Sequence, residues 1–168
     1  MRWGEQYSKL FEATMLELGA FLGFGSHRPE VEIGKGPDNL WALGGLYYLV
    51  IECKSGATSA PKVSKKDTNQ LNGSIVWFKQ TYDTSCTFTP IMVHPKTQFE
   101  AAASPDPDIR VVHEPGLKSL KDAVRAFTTA LTSNGKFKDA KEVERQLLQH
   151  HLNSQSIVEL MSVKQMNK

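Results

Sequence analysis

The chain has 168 residues, a formal net charge of +2 and a hydrophobic content of 40%. This length and composition indicate a soluble globular protein with a single good core. The small net charge excludes the strongly basic footprint that is usual in nucleic-acid-binding domains, although an acidic site could mask local basic patches.

Neither a membrane span nor a secreted disulfide scaffold is indicated. No segment has the roughly 18 apolar residues of a span, and the N-terminus lacks the charged and apolar regions of a secretory signal. A cytoplasmic protein with no membrane partner is expected. Cys53 and Cys86 are too few for a disulfide framework or a zinc site, so both are predicted to be buried free thiols.

The first third of the chain is predicted to form a helix and three strands. Apolar residues at helical spacing predict an amphipathic helix over residues 5–22. Alternating apolar and acidic side chains predict a short strand over residues 27–33. Two more strands, over residues 39–43 and 46–54, are predicted to be joined by a hairpin at Gly44-Gly45.

The rest of the chain is predicted to contain both helices and strands. A loop is expected over residues 55–66, and the next helix begins at Ser64 or Asp67 and ends near Tyr82. The remaining pattern predicts strands over residues 86–93 and 109–113, a short helix over residues 98–103, and helices over residues 117–131, 139–152 and 157–163.

A boundary is expected at Asn134-Gly135, where helix-stopping residues interrupt the pattern. Residues 1–133 then form one α/β domain. Residues 134–168 form a helical extension that is too small to be a domain. The extension is expected to pack on the core or on a partner, or to form a dimer contact.

Residues 36–56 carry the main chemical signal. Glu52 and Lys54 lie on one face of the predicted strand because successive side chains alternate. The apolar run before them indicates that the pair is buried, and buried charges are costly unless they are paired or bind a metal. The hairpin brings Asp38 alongside. Two carboxylates without cysteine or histidine partners suit Mg²⁺ or Mn²⁺.

The motif Pro37-Asp38, a spacer of 13 residues, and Glu52-x-Lys54 together resemble the signature of the PD-(D/E)xK nuclease superfamily. The order of predicted elements over about the first 115 residues is also similar to that family. The resemblance implies an α/β, restriction-endonuclease-like core. In such a core a central mixed β-sheet is flanked by helices, and this chain would add a C-terminal helical extension.

The resemblance also implies roles for the residues of the motif. Asp38 and Glu52, aided by the backbone carbonyl of Cys53, would hold one or two Mg²⁺ or Mn²⁺ ions. Lys54 would orient the attacking water or help to deprotonate it. Asp38, Glu52 and Lys54 are therefore the central catalytic candidates.

Other assignments implied by the resemblance have a plain structural alternative. Glu12 would help to hold metal-bound water, or it is a solvated glutamate on a helix flank. Gln70 resembles a residue that faces the catalytic centre in relatives, although glutamine is ordinary on a helix surface. Lys62, Lys65 and Lys66 could bind nucleic acid through its phosphates, or they form a solvated surface run.

The chain is therefore expected to be a Mg²⁺- or Mn²⁺-dependent nuclease that hydrolyses DNA, which is preferred to RNA only through the resemblance. It is expected to be an endonuclease domain working with a helicase, an ATPase, a recognition subunit or a second copy of itself, in restriction, repair or defence. The alternative is a catalytically silent nucleic-acid-binding or assembly module of the same fold. A third interpretation is an ordinary α/β domain with an exposed Glu52-Lys54 ion pair on an edge strand.

Overall fold

A computed structural model describes residues 1–133 and 135–165 and shows an α/β structure with one six-stranded mixed sheet flanked by helices. The strands are Gly25–His27 (β1), Asn39–Gly44 (β2), Tyr47–Cys53 (β3), Thr87–Val93 (β4), Arg110–Val112 (β5) and Val163–Lys164 (β6). They lie side by side in chain order. The pairs β1-β2 and β2-β3 are antiparallel, whereas β3-β4 and β4-β5 are parallel.

The coarse architecture predicted from the sequence, an α/β fold in which helices flank a mixed sheet, is confirmed. After a 3-10 turn at Glu5–Tyr7, the helices are Ser8–Phe21 (α1), Pro29–Ile33 (α2), Lys65–Thr81 (α3), Glu114–Ser133 (α4), Ala140–Gln149 (α5) and Ile157–Met161 (α6). Within the described residues, no helix is long and apolar enough to cross a bilayer.

The chain divides into two compact units. One comprises residues 1–113 with the described residues from Lys164 onward, and the other is residues 114–163. Within the second unit, Gly116 of α4 lies against the main chain of α6, where a Cβ would be only 1.9 Å from the Met161 carbonyl oxygen. Asn134 lies outside the described residues, and the predicted division at that point stays a prediction.

Two predicted elements are wrong. Residues 27–33 do not continue as a strand, because Pro29–Ile33 is a helix; proline suits the first helical position, where its missing N–H costs no hydrogen bond. Residues 98–103 do not form a helix. Instead, Phe99 forms a parallel bridge with Val63, whose N–H and carbonyl both bond to this segment.

The strand β3 is central, because it pairs with β2 on one side and β4 on the other. Leu49, Val50 and Ile51 are fully buried, as expected for a continuous apolar run in such a strand. One face packs against α3 in a cluster that includes Leu40, Val50, Leu71, Ile75, Phe78 and Met92. Glu52 shares the face of Val50, so the end of β3 carries a charged group towards α3.

Gly19 determines how closely α1 approaches the sheet. A Cβ at this position would lie 2.5 Å from the Trp41 indole nitrogen and 2.6 Å from the Ser26 hydroxyl. Trp41 is fully buried and cannot give way freely. We expect Gly19→Ala to lower the free energy of unfolding by about 1–3 kcal/mol, measured by urea unfolding. Ala20→Ser, at an exposed position of α1, is the control, and similar losses in both variants would contradict the close packing.

Candidate active site

An acidic cavity of about 430 Å³ opens where β3 ends. Its walls come from α1, α2, the segment before β2, the end of β3, and α3, all within the unit of residues 1–113. The lining residues are Glu12, Glu30, Gly36, Asp38, Glu52, Lys54, Gln70, Gly73 and Ser74. The fold therefore brings together all five side chains that the sequence nominated as catalytic, namely Glu12, Asp38, Glu52, Lys54 and Gln70.

Asp38 and Glu52 meet because β2 and β3 are antiparallel. The register pairs Asn39 with Ile51, and one further step places Asp38 opposite Glu52. Directly opposed residues of an antiparallel pair have neighbouring side chains on the same face. Asp38 is 6% exposed and Glu52 is 5% exposed. Two carboxylates that are distant in sequence thus share one buried wall.

Lys54 lies between these two carboxylates. Its Nζ is 3.1 Å from Glu52 Oε2 and 3.8 Å from Asp38 Oδ2. Burial alone lowers the pKa of Lys54, but the charges of Glu52 and Asp38 outweigh burial and raise that pKa, so Lys54 is an ammonium at neutral pH. Glu52 is buried near the end of the central strand β3, and Lys54, directly after that strand, is half-buried. The interpretation as an exposed ion pair on an edge strand is therefore wrong.

Glu52 is held at both carboxylate oxygens. Ser74 Oγ, from α3, donates to Oε1 at 2.6 Å, and Lys54 Nζ donates to Oε2. Burial and the charge of Asp38 raise the pKa of Glu52 to about 7, even though Lys54 and Ser74 act in the opposite direction. Glu52 consequently changes its charge near neutral pH. Ser74 was not singled out in the sequence, because nothing local to it indicates a partner in β3.

The backbone carbonyl of Cys53 faces the same wall as Asp38. The Cys53 N–H donates to Asp38 Oδ2 at 2.7 Å, while the next N–H, of Lys54, donates to Val93 of β4 at 2.8 Å. Because the N–H and carbonyl of one strand residue point to the same neighbour, the Cys53 carbonyl points towards the β2 side. Continued two residues beyond the Asn39–Ile51 pair, the register would place Pro37 opposite it, and proline has no N–H to donate. Pro37 therefore donates no hydrogen bond to this oxygen.

Glu12 of α1 is fixed by an ion pair with Arg28, which follows β1. The two side chains are only 17% and 16% exposed, so Glu12 is not a solvated glutamate on a helix flank. Burial and the charge of Asp38 raise the pKa of Glu12, while Arg28 opposes the rise. Arg28 was not singled out in the sequence, because nothing local to it indicates a partner in α1.

Glu30 is a cavity residue that the sequence did not predict. The pKa of Glu30 is raised, chiefly by a hydrogen-bonding interaction with Asp38 and secondly by burial. The available signal was Pro29, which favours a helix start and would have taken Glu30 out of the predicted strand.

Of the remaining candidate site residues, Gln70 lines the cavity and the three lysines do not. Gln70 lies in the first half of α3 and lines the cavity. Lys62, Lys65 and Lys66 lie outside the lining; Lys62 is half-buried, and the other two are exposed. Their contact with phosphates stays a prediction. His94 is fully buried, and its Nδ1 accepts a main-chain hydrogen bond at 2.9 Å, which is a structural role.

The oxygen atoms of this cavity fit a hard divalent cation. Mg²⁺ and Mn²⁺ take carboxylate and carbonyl oxygens, which Asp38, Glu52 and Cys53 supply. Within residues 1–133 and 135–165, no three histidine, cysteine, aspartate or glutamate side chains form a group that could hold a metal. The predicted donor set differs from such a group, because it combines two carboxylates with a main-chain carbonyl.

Functional assignment rests on the cavity itself. No protein-family profile matches the chain, and no curated protein or solved structure matches it. The positions, burial and charges of the lining side chains are therefore the grounds for inferring a function.

The raised pKa of Glu52 predicts that stability depends on pH. The carboxyl ionises near 4.5 in the unfolded chain but at about 7 in the folded state. Between these values the folded state binds a proton that the unfolded state has lost, so the free energy of unfolding falls as pH rises. Glu52→Gln removes this term. Relative to the wild type, the variant should gain on the order of 2 kcal/mol between about pH 5 and about pH 8.

Urea unfolding across this pH range measures the difference. Glu17→Gln, which alters an exposed carboxylate on α1, is the matched control. If the wild type and Glu52→Gln showed parallel pH profiles, Glu52 would not have a raised pKa in the folded state.

Proposed function

We propose that this chain is a Mg²⁺- or Mn²⁺-dependent nuclease that hydrolyses DNA phosphodiester bonds. One observation carries the proposal: the Lys54 ammonium lies within 4 Å of carboxylate oxygens of both Asp38 and Glu52 in one open cavity. Two hard oxygen donors beside an ammonium suit a reaction in which negative charge builds on phosphate oxygens.

The residues divide the chemistry between them. Asp38, Glu52 and the Cys53 carbonyl would hold the divalent cation, which when bound lowers the pKa of its water and stabilises charge on the attacking and leaving oxygens. Lys54 is already protonated, so it donates to the attacking water or to a phosphate oxygen and does not act as the base. Glu12 accepts a hydrogen bond from that water.

Two other side chains assist by positioning. Arg28 keeps the Glu12 carboxylate in place through their ion pair. Ser74 directs one oxygen of Glu52 towards α3 and leaves the other beside Lys54. Gln70, also on α3, lines the cavity and contributes an amide that can bind a phosphate oxygen.

The element order supports a restriction-endonuclease-like identity for this unit. An N-terminal helix, a three-stranded antiparallel meander, a second long helix and a parallel strand follow one another, with α2 as an addition between β1 and β2. DNA is proposed through the resemblance carried by Pro37-Asp38 and Glu52-x-Lys54. The cavity offers one set of groups, so cleavage of both strands of a duplex calls for a second copy of the chain. A helicase, an ATPase or a recognition subunit would select the target.

Cleavage assays test the proposal. The purified chain should cleave plasmid, linear or single-stranded DNA in Mg²⁺ or Mn²⁺. Asp38→Asn and Lys54→Met should each lower the rate by at least about 100-fold, because each removes a charged group from the reacting centre. Lys79→Met is the matched control, since this lysine of α3 lies over the Phe88 ring, away from the cavity lining.

Two outcomes would contradict the nuclease. One is a wild-type protein that cleaves none of these substrates, and the other is cleavage that persists in both variants. DNA binding without cleavage would favour the silent nucleic-acid-binding module instead.

Metal binding should release a proton from Glu52. Its pKa of about 7 means that the carboxyl must ionise before it can bind a cation. The Kd for Mn²⁺ should therefore tighten by about tenfold per pH unit below neutrality and level off above it. Calorimetry in two buffers of different ionisation enthalpy counts the released proton.

Glu52→Gln should abolish both the proton release and the pH dependence, whereas Glu17→Gln should keep them. A Mn²⁺ affinity that did not vary with pH through neutrality would exclude Glu52 as a ligand.

A further inference from the structure

Gly73 lies in the interior of α3 and lines the acidic cavity. Glycine in a helix is less favourable than alanine, because it loses more backbone freedom on folding and adds no side-chain contact. A glycine at such a position therefore needs a reason, which is either a special backbone conformation or a close neighbour.

The fold supplies neither reason. Gly73 is a regular helical residue, and no atom lies within 4 Å of the position that its Cβ would occupy. Each of the others among the 12 glycines, all of which lie in the described residues, has a positive φ or a neighbour within 4 Å of that position. Gly36, also in the cavity wall, shows the contrast: its φ is 103°, and its Cβ would lie 2.9 Å from Pro29.

We propose that the sugar-phosphate backbone of a bound nucleic acid strand passes directly over α3 at Gly73, and that the missing side chain allows this close approach. The inference rests on the proposed nuclease function and adds the path of the substrate. Gly73 is adjacent to Ser74, whose hydroxyl bonds to Glu52 at 2.6 Å. A strand that crosses the helix here brings a phosphodiester beside the carboxylates.

The other residues on this face of α3 suit a polyanion. Lys66, Gln70 and Gly73 are spaced by four and three residues, so they share one side of the helix. Gln70 lines the cavity, and Lys66 is exposed one turn nearer the start of the helix. An amide and an ammonium are donors to phosphate oxygens. The bare surface at Gly73 therefore continues a row of phosphate-binding groups into the cavity.

Two substitutions, Gly73→Ala and Gly73→Leu, test the inference. Gly73→Ala should move the midpoint of urea unfolding to higher urea, because alanine favours the helix and meets open space. Both variants should keep the wild-type Kd for Mn²⁺, since Gly73 carries no ligand. The affinity for a fluorescent DNA oligonucleotide with a phosphorothioate backbone, which slows hydrolysis, should fall in Gly73→Ala. In Gly73→Leu it should fall by about tenfold or more.

Gln80→Leu is the control for added bulk, because Gln80 is exposed on α3 and lies outside the cavity lining. It should bind the oligonucleotide as the wild type does. Wild-type DNA binding in both Gly73 variants would overturn the inference while leaving the nuclease intact. A midpoint lowered by Gly73→Ala would also overturn it, because the glycine would then have a structural reason. A wild-type protein that neither binds nor cleaves DNA would overturn the proposed function, and this inference with it.

Discussion

The antiparallel pairing of β2 with β3 is the interaction on which the cavity depends. It places Asp38 opposite Glu52, and the hydrogen bond from the Cys53 N–H to Asp38 Oδ2 at 2.7 Å joins the two segments just beyond Asn39 and Ile51, where the ladder ends. A slip of one residue would turn one carboxylate to the other face of the sheet. The short turn between Gly44 and Tyr47 prevents such a slip, because turn type and loop length set the pairing of the two strands of a hairpin.

The cavity also concentrates groups whose burial is unfavourable. Four carboxylates line it, and Lys54 and the nearby Arg28 compensate them in part. Burial or neighbouring acids raise the pKa of three of these carboxyls, which are Glu12, Glu30 and Glu52. A bound cation would relieve the repulsion between these carboxylates. A purely structural core has no need of such a cluster of buried acids. The exposed Gly73 adds a second local cost at the same place, and such costs gather at functional sites.

The long elements could be predicted because each has a repeating pattern of its own. Phe11 and Met15 of α1, and Leu71, Ile75 and Phe78 of α3, are buried at helical spacing. The helix α2 has five residues, too few for a period, and its proline outweighed an alternation that resembled a strand. The helix predicted over residues 98–103 was wrong for another reason. Main-chain groups of this segment form hydrogen bonds with Val63, which is far away in the chain.

The sequence by itself determined that Asp38, Glu52 and Lys54 lie together, because a short hairpin sets the register between neighbouring strands and alternation sets the shared face. Only the tertiary structure decided that Arg28 pairs with Glu12, that Glu30 reaches Asp38, and that Ser74 bonds to Glu52. These contacts join helices to strands, and the position of a helix over a sheet follows from the packing of many side chains at once. No local sequence pattern encodes that packing, so the residues that form the walls of the cavity could be identified only from the positions of the helices.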